Sequence, residues 1–387
     1  MPSGRSRARG ASGPVPLDRV PGLRQVPAAL ARRRGDVVLF DSWRGSYADN
    51  PRAISEALRT HRPDLHQVWV ADAAAARLVP PWAKRVRPGS RAYLAALGRA
   101  AHVVANTGMP GYYRKPRGTS YLQTWHGTPL KRIAFDLEGP PFPGDRKFFR
   151  RLRRDAARWD ALVSPNPFST PILRSAFRYE GRVLETGYPR NDLLSAPGAA
   201  DSRRRARAAL ELDDGKCAVL YAPTWRDSAA FDLRLDVGAL ADRLGDSHTL
   251  LLRTHPLNPP ALGEGRHASM IDVSAHADIR DLYLAADVLL TDYSSAMFDF
   301  AVTRRPMLFF TYDLAEYRDE TRGFYFDFER EAPGPLLTST DAVADARADL
   351  DAGSARHAPA YERFVERFGA WDDGAAAERV VREFFGD

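Results

Sequence analysis

Short apolar stretches alternate with stretches of helical spacing along most of the chain. Short runs rich in Val, Leu and Phe have the length of buried parallel strands, and the segments between them carry apolar residues at helical spacing. In the first half the predicted strands are Asp36–Asp41, Gln67–Val70, His102–Asn106, Tyr121–Trp125, Ala161–Ser164 and Val183–Thr186, and the predicted helices include Pro51–Arg59 and Arg91–Arg99. This alternation predicts a parallel sheet that is covered by helices.

The same rhythm restarts after residues 195–215, which contain Ala-Pro-Gly, a charged helix predicted at Arg203–Leu212, and Asp-Asp-Gly. The strands predicted beyond this passage are Cys217–Tyr221, Thr249–Arg253, Met270–Val273, Val288–Leu290 and Met307–Phe310. The fold class is therefore predicted as α/β, with two doubly wound, Rossmann-like domains that face each other across a cleft.

This interpretation divides the chain into four segments. Residues 1–35 form a disordered basic arm, 36–195 an N-terminal domain, 196–360 a C-terminal domain, and 361–387 a terminal helix that packs back across the interdomain groove. The helix is predicted from about Tyr361 to Phe385. A length of 387 residues is too great for one typical core and suits two domains.

The positive charge is concentrated in the arm. Residues 1–35 contain eight arginines and a single acid, Asp18, which accounts for the whole formal charge of +7. A nucleic-acid-binding fold normally carries its basic surface on the folded domain, so this distribution argues against a nucleic-acid partner. The arm is equally consistent with contact to anionic lipid headgroups and with a solubilising tail.

Targeting and redox features are few. The sequence lacks the apolar core of a signal peptide and a membrane-spanning stretch, and Cys217 is the single cysteine, so an internal disulfide is excluded. We therefore expect a cytoplasmic protein that is soluble or peripheral at the inner face of the membrane.

A hydroxyl-rich turn follows the predicted strand Val288–Leu290. Thr291, Ser294 and Ser295 lie at this corner, and a helix starts at Ala296. Backbone N–H groups and the helix dipole converge there, which favours a phosphate group. One of the serines could instead be a helix N-cap, and Asp292 and Asp299 are expected to orient the turn.

Three further motifs end predicted strands. His126 follows a strand and precedes Gly127, and a histidine at such a position can take a proton from an attacking hydroxyl. The alternative is a structural histidine that binds a neighbouring loop. Thr224 could bind a phosphate and Trp225 could stack on a base or belong to the core, while Arg253 and His255 could stabilise charge on a transferring phosphoryl group or its leaving group.

A basic amphipathic segment lies between these motifs. Phe148, Phe149, Leu152, Ala156 and Trp159 fall on one helical face, and seven Arg and Lys residues between 146 and 158 occupy the rest. Such a helix lies readily in a membrane interface, and Phe148, Phe149 and Trp159 would contact the acceptor or membrane. The alternative is a surface helix that packs the same stripe onto its own domain.

The four strand-end motifs occur in a characteristic order. Trp-His-Gly-Thr-Pro-Leu-Lys (125–131), Tyr-Ala-Pro-Thr-Trp-Arg (221–226), Arg-Thr-His-Pro (253–256) and Thr-Asp-Tyr-Ser-Ser-Ala-Met-Phe-Asp (291–299) resemble the signature set of the CDP-glycerol:poly(glycerophosphate) glycerophosphotransferase family, the teichoic acid primases and polymerases. The resemblance implies a GT-B fold, with a CDP-alditol donor in the C-terminal domain and a lipid-linked saccharide or polyol-phosphate acceptor in the N-terminal one.

The resemblance also implies roles for individual residues. His126 would be the base on the acceptor hydroxyl, His255 would act at the donor phosphates, and Ser294 and Ser295 would hold the pyrophosphate. Thr224, Arg253 and Thr291 complete the expected donor site. The reaction would pass glycerol phosphate or ribitol phosphate to the acceptor and release CMP, without a cofactor or metal, since the sequence offers no carboxylates at metal-ligand spacing.

Two other functions fit parts of the sequence. A nucleotide-sugar glycosyltransferase of cell-envelope polysaccharide synthesis would use the same fold and the same helix start. A non-catalytic protein that binds membranes or polyanions would explain the arm and the basic helix, but not the polar motifs at the cleft. The sequence does not decide the alditol, the acceptor, the number of units added or the oligomeric state. A primase is slightly preferred over a polymerase.

Overall fold

In the computed structural model, which describes residues 35–140, 145–224, 233–254 and 269–386, the first half of the chain forms a parallel sheet. Its strands are β1 (Val37–Asp41), β2 (His66–Val70), β3 (Lys84–Val86), β4 (His102–Ala105), β5 (Ser120–Gln123), β6 (Ala161–Ser164) and β7 (Arg182–Glu185). They are arranged in the order β3-β2-β1-β4-β5-β6-β7. The chain therefore winds outward in both directions from the β1/β4 pair.

The second half of the chain forms another parallel sheet. Its strands are β8 (Cys217–Tyr221), β9 (His248–Leu252), β10 (Met270–Asp272), β11 (Val288–Thr291), β12 (Met307–Phe310) and β13 (Leu336–Leu337), in the order β10-β9-β8-β11-β12-β13. Here the winding reverses between β8 and β11. In open sheets of this kind, ligands bind at the carboxyl ends of the strands beside the reversal.

Helices cover both sheets. In chain order they are α1 (Asp49–His61), α2 (Arg91–Arg99), α3 (Phe148–Ala156), α4 (Ser169–Phe177), α5 (Asp192–Ser195), α6 (Ala199–Ala209), α7 (Val237–Leu244), α8 (Ile279–Ala285), α9 (Ala296–Ala301), α10 (Leu314–Glu316), α11 (Phe328–Glu331), α12 (Thr340–Ala348), α13 (Leu350–Phe368) and α14 (Ala376–Phe385). The predicted α/β class with two doubly wound domains is confirmed, as is the GT-B arrangement that the resemblance implied.

The central strands are apolar because helices pack on both of their faces. On β1, Leu39 packs in one core cluster with Tyr93 of α2, and Phe40 packs in the opposite cluster with Ile54 of α1. Burying such side chains contributes about 1.5–3 kcal/mol each. Continuous apolar runs, rather than alternating ones, are what a parallel sheet with two covered faces requires.

The predicted strands match the observed ones to within a few residues, but two were missed. The edge strands β3 and β13 are short, and β3 carries Lys84 and Arg85, so neither has the apolar run that marks a central strand. The predicted arm, residues 1–35, lies outside the described residues except for Gly35.

The terminal segment corrects another prediction. The helix expected from about Tyr361 to Phe385 is two helices, because α13 ends at Phe368 and α14 begins at Ala376. Phe368 packs in the core of the second domain, whereas Val380 of α14 packs in that of the first. The chain thus crosses back through residues 369–375, and a continuous helix could not have turned there.

Asp192 anchors this crossing. Its carboxylate accepts hydrogen bonds from the backbone N–H groups of Ala376 and Ala377 at 2.9 and 2.7 Å, at the start of α14. Burial raises the pKa of Asp192 to about 6, although the two N–H groups act in the opposite direction. A carboxylate at a helix N-terminus also interacts favourably with the helix dipole.

Gly187 provides a test of how tightly the crossing packs. Its φ is +84°, and a Cβ there would lie 2.6 Å from the carbonyl oxygen of Trp371. Gly187→Ala should therefore lower the free energy of unfolding by at least about 1 kcal/mol, measured by urea denaturation. Gly245→Ala is the matched control, since Gly245 also has a positive φ, +63°, but no neighbour within 4 Å. Equal losses in both variants would mean that the crossing does not pack closely at Gly187.

Candidate active site

His126 lies on a sharp corner beyond the end of β5. The preceding residue, Trp125, has a φ of +51°, and its ring packs against the imidazole of His126 with ring centroids 3.9 Å apart. The Nδ1 atom of His126 lies 2.8 Å from the carbonyl oxygen of Asn106, at the end of β4. Because a carbonyl only accepts hydrogen bonds, Nδ1 carries the proton and Nε2 carries the lone pair.

The surroundings of His126 keep it neutral. Burial lowers the pKa of the imidazole below its usual value, and this outweighs the opposite effect of the Asn106 carbonyl. A neutral histidine with a fixed tautomer is a ready proton acceptor at physiological pH. The predicted base therefore has a geometry and a protonation state that suit the role.

Arg190, which sequence analysis missed, joins this corner to the second domain. Its Nη1 donates to Asp49 Oδ1 and to the carbonyl oxygen of His126, each at 2.9 Å. Its Nη2 donates to both carboxylate oxygens of Asp299 in α9, at 3.0 and 2.9 Å. Burial acts to lower the pKa of Arg190, but the two carboxylates prevail and raise it, so the guanidinium stays charged.

Asn50, at the start of α1, also holds this corner. Its side chain donates to the carbonyl oxygen of Trp125 at 3.3 Å and accepts from the backbone N–H of Arg190 at 3.1 Å. The chain beyond His126 is also tied to the second domain, because the N–H of Arg132 donates to the carbonyl of Gly323 at 3.0 Å. His126 therefore sits on a corner that is held by both domains.

A second corner, which carries Ser294 and Ser295, lies in the second domain at the β8/β11 reversal. Ser294 and Ser295 are half-buried, in contrast to the fully buried Tyr293 beside them. The backbone N–H of Ala296 donates to Ser294 Oγ at 3.3 Å, so Ser294 contributes to capping as well as lining the corner. Asp292 Oδ1 accepts from the backbone N–H of Thr224 at 2.7 Å, which joins the ends of β8 and β11.

The two corners meet at Gly127. A Cβ on Gly127 would lie 2.8 Å from Ser295 Oγ, so a larger residue would push the corners apart. His126 is thereby held next to the serine turn. The lack of a side chain on Gly127 allows this close approach of Ser295.

Two predicted site residues need correction. Thr291 is fully buried and donates its hydroxyl to the carbonyl of Ala222 at 2.7 Å, so it supports β8 and does not face a ligand. Trp159 is 7% exposed and donates Nε1 to Asp155 Oδ2 at 3.1 Å within the first core. Because α3 ends at Ala156, Trp159 leaves the helical stripe and turns inward.

The remaining predicted residues are placed as follows. Arg253 directs Nη1 to the backbone carbonyls of Val273 and His276, at 3.2 and 3.0 Å, which holds it along the rim of the second sheet. Phe148 and Phe149 are half-buried. His255, with Trp225 and Arg226, lies outside the described residues, and its role stays a prediction.

Neither a metal cluster nor a membrane-spanning helix emerges from the described residues. Within the ranges given above, no group of three His, Cys, Asp or Glu side chains could hold a metal ion. No helix in that part of the chain is both long and apolar enough to cross a membrane.

The family model described as CDP-glycerol:poly(glycerophosphate) glycerophosphotransferase matches residues 25–386. The chain belongs to this family. It is 39% identical over 363 residues to the teichoic acid poly(glycerol phosphate) polymerase of Bacillus subtilis (strain 168), covering 90% of this chain and 48% of that protein. The chain thus spans about half the length of that relative.

Two further relatives are covered over most of their length. The teichoic acid glycerol-phosphate transferase of Staphylococcus aureus is 38% identical, with 90% of this chain and 93% of that protein covered. The structure of the wall teichoic acid polymerase TagF superposes with a TM-score of 0.84 at 38% identity, covering 90% of this chain and 88% of that one. TagF has also been solved as a histidine variant soaked with CDPG.

The buried pairing of Arg190 makes a strong stability prediction. Arg190→Ala would leave Asp49 and Asp299 buried without their partner, so the free energy of unfolding should fall by about 3–5 kcal/mol, measured by urea denaturation. Arg243 is the matched control, because it also pairs with two carboxylates, Asp341 and Asp345, but at the surface. Arg243→Ala should have little effect. Similar small losses for both variants would contradict the assignment of Arg190 as the link between the domains.

Proposed function

We propose that the protein transfers glycerol phosphate from CDP-glycerol to a hydroxyl of a lipid-linked acceptor and releases CMP. The observation that carries this proposal is the contact between the two corners, which sets the neutral His126 beside the serine turn. The relatives add support, because those named for glycerol phosphate are 36–39% identical to the chain, whereas those named for ribitol phosphate are 27–32% identical.

The proposed reaction is an in-line displacement at the β-phosphorus. His126 Nε2 accepts the proton of the acceptor hydroxyl as its oxygen forms a bond to that phosphorus. The bond between the β-phosphorus and the bridging oxygen breaks, and the electron pair leaves with CMP. Because Nδ1 already donates to Asn106, the ring can take the proton without rotating.

The serine turn supplies the phosphate-binding side of the proposal. Hydroxyl groups of Ser294 and Ser295, with the start of α9, offer hydrogen bonds to the pyrophosphate. Thr224 is fixed beside them through Asp292. His255 and Arg253 are proposed to act near the leaving phosphate, and no cofactor is part of the scheme.

The function is tested by mass spectrometry of the products formed from a lipid-linked disaccharide acceptor. CDP-glycerol should yield an acceptor enlarged by glycerol phosphate units, whose number the spectrum reports, together with CMP. CDP-ribitol and UDP-sugars are the competing donors. Transfer from a UDP-sugar and not from CDP-glycerol would replace the proposal with a glycosyltransferase.

Removing the base should affect the chemical step most. His126→Ala should lower the turnover rate by roughly 10²–10⁴-fold, the usual contribution of a positioned acid–base group, while the affinity for CDP-glycerol stays within about twofold. His248→Ala is a control, because His248 is the first residue of β9 and so lies at the amino end of that strand, at the far edge of the sheet from the proposed site. Near-normal turnover in a folded His126→Ala protein would exclude this base.

The serine turn is tested separately by calorimetry with CDP-glycerol. Ser294→Ala combined with Ser295→Ala should weaken donor binding, because each lost hydrogen bond to a charged phosphate costs on the order of 1.5–3 kcal/mol. Ser339→Ala is a control, since Ser339 also starts a helix, α12, but follows the edge strand β13, two strands from β11. If the double variant binds the donor as the parent protein does, the two hydroxyls serve the fold alone.

We also propose that α3 docks the protein on the inner, anionic surface of the cell membrane. Phe148, Phe149 and Phe135 form an aromatic cluster, with ring centroids of Phe135 and Phe149 5.3 Å apart. The exposed arginines around this cluster are Arg150, Arg151, Arg153 and Arg154. A basic rim around an aromatic edge suits an anionic interface.

Vesicle co-sedimentation tests the docking proposal. Reversing Arg150 and Arg154 to Glu should release the protein from anionic vesicles, since each basic group near such a surface contributes about 1 kcal/mol. The same charge change on α6, Arg204→Glu with Arg205→Glu, is the control and should leave binding intact. If both double variants lose vesicle binding to the same extent, the binding depends on the total charge of the protein and not on α3.

A further inference from the structure

The connection between β1 and α1 carries an exposed tryptophan beside the base. Trp43 is 47% exposed, and its ring lies against the imidazole of His126 with centroids 4.6 Å apart. Two hydrogen bonds fix it, from its backbone N–H to Asn106 Oδ1 and from its Nε1 to Asp49 Oδ2, both 2.9 Å. The indole is therefore held rigidly with a broad face available to solvent.

The backbone of this connection is strained. Trp43, Arg44 and Asp49 have φ values of +50°, +61° and +63°, a region that side chains other than glycine rarely adopt. Each such residue costs about 1–3 kcal/mol unless its surroundings impose it. Strain of this kind accumulates where a side chain must be presented in a fixed position, and here it presents the indole next to His126.

A buried carboxylate lies where the same connection begins, at the end of β1. Asp41, the last residue of β1, is 5% exposed, and its Oδ1 makes no hydrogen bond within the part of the chain that the structure describes. Burial raises the pKa of Asp41 to about 7, although the charge and backbone N–H of Arg44 and a hydrogen bond from the Tyr93 hydroxyl act in the opposite direction. A buried acceptor oxygen without a donor is costly, so its retention points to a donor supplied by a ligand.

Sheet register relates Asp41 to the base. Asp41 lies opposite Ala105 of β4, the residue before Asn106, and β5 is the next strand along. With strands about 4.8 Å apart, Asp41 lies roughly 10 Å from the strand that leads to His126. Asp41 and His126 thus lie at the same edge of the sheet, at the ends of strands that are separated only by β4.

The two side chains call for an uncharged, hydroxyl-bearing ligand. An aromatic face packs well against the C–H surface of a sugar ring or polyol chain, and a carboxylate oxygen accepts from a hydroxyl. A phosphate at Asp41 would instead meet a like charge when the carboxyl is ionised.

We infer that Trp43 and Asp41 form the subsite for the terminal polyhydroxylated unit of the acceptor, with Trp43 as its stacking platform and Asp41 Oδ1 as a hydroxyl acceptor. The inference rests on the proposed function, because it assigns His126 to the reacting hydroxyl of the same unit. The unit is a sugar or an alditol, which share this chemistry.

Steady-state kinetics with two acceptors test the subsite and identify the unit. One acceptor is a short-chain lipid-linked disaccharide, and the other is the same molecule ending in glycerol phosphate. Trp43→Ala and Asp41→Asn should each raise the KM for at least one of the two acceptors by roughly tenfold. Trp43→Phe, which keeps an aromatic face but loses the bond to Asp49, should retain most of the acceptor affinity.

Donor binding separates this role from a structural one. The affinity for CDP-glycerol by calorimetry and the thermal midpoint should stay near the parent values in Trp43→Ala. Trp82→Ala is the matched control, because Trp82 is 38% exposed but precedes the amino end of β3, away from the cleft. An unchanged acceptor KM in both arms, or a donor affinity that falls as much as the acceptor affinity, would overturn the subsite.

A direct binding experiment keeps the subsite distinct from the proposed function. If the parent protein transfers nothing from CDP-glycerol, the proposed function fails, and saturation-transfer NMR with the two acceptors then tests the subsite alone. Contact signals that disappear in Trp43→Ala and persist in Trp82→Ala support it. Signals that persist in Trp43→Ala, or no signal with either acceptor, overturn it.

Discussion

The guanidinium of Arg190 lies buried between the domains and binds a carboxylate from each, Asp49 in the first and Asp299 in the second. Removing these charges from water is costly, and the cost is offset only while all three groups remain together. Opening the cleft at this point would leave Arg190 or Asp299 without its partner. The closed arrangement of the two corners is therefore favoured by the same pairing that orients His126 through its carbonyl oxygen.

This constraint explains why a glycine and a strained backbone lie next to His126. Gly127 allows Ser295 to approach, and the positive φ of Trp125 turns the chain so that His126 Nδ1 reaches Asn106. Each feature is unfavourable alone and is held by the packing around it. Together they fix which imidazole nitrogen carries the lone pair, and the chemistry of the site follows from that choice.

The strands and turns, which depend on residues close together in the sequence, could be predicted. The contacts between residues far apart in the sequence could not. The central strands and the turns that follow them could be read from apolar runs and polar punctuation, so His126 and the serine pair were found at strand ends. Arg190 carries little local signal, because its partners lie 141 and 109 residues away. An arginine in Tyr-Pro-Arg-Asn directly beyond a predicted strand was the one available hint.

Errors at other positions have the same origin. Helical spacing placed Trp159 on one face with Phe148 and Phe149. The helix ends before Trp159, however, and this side chain packs in the core of the first domain. Thr291 was grouped with the serines by its hydroxyl, yet the carbonyl of Ala222 accepts that hydroxyl. Residue type indicates which bonds a side chain can make, and tertiary packing decides which it does make.

This framework presents His126 as a neutral imidazole with its proton on Nδ1, the form that the proposed role as a base requires. The most direct measurement is a ¹⁵N–¹H correlation spectrum of the histidine side chains across a pH titration, with His126→Gln used to assign the signals. We expect a protonated Nδ1, an unprotonated Nε2, and a pKa below the ordinary value of about 6.5. A proton on Nε2 of the neutral ring, or a pKa above the ordinary value, would contradict this assignment.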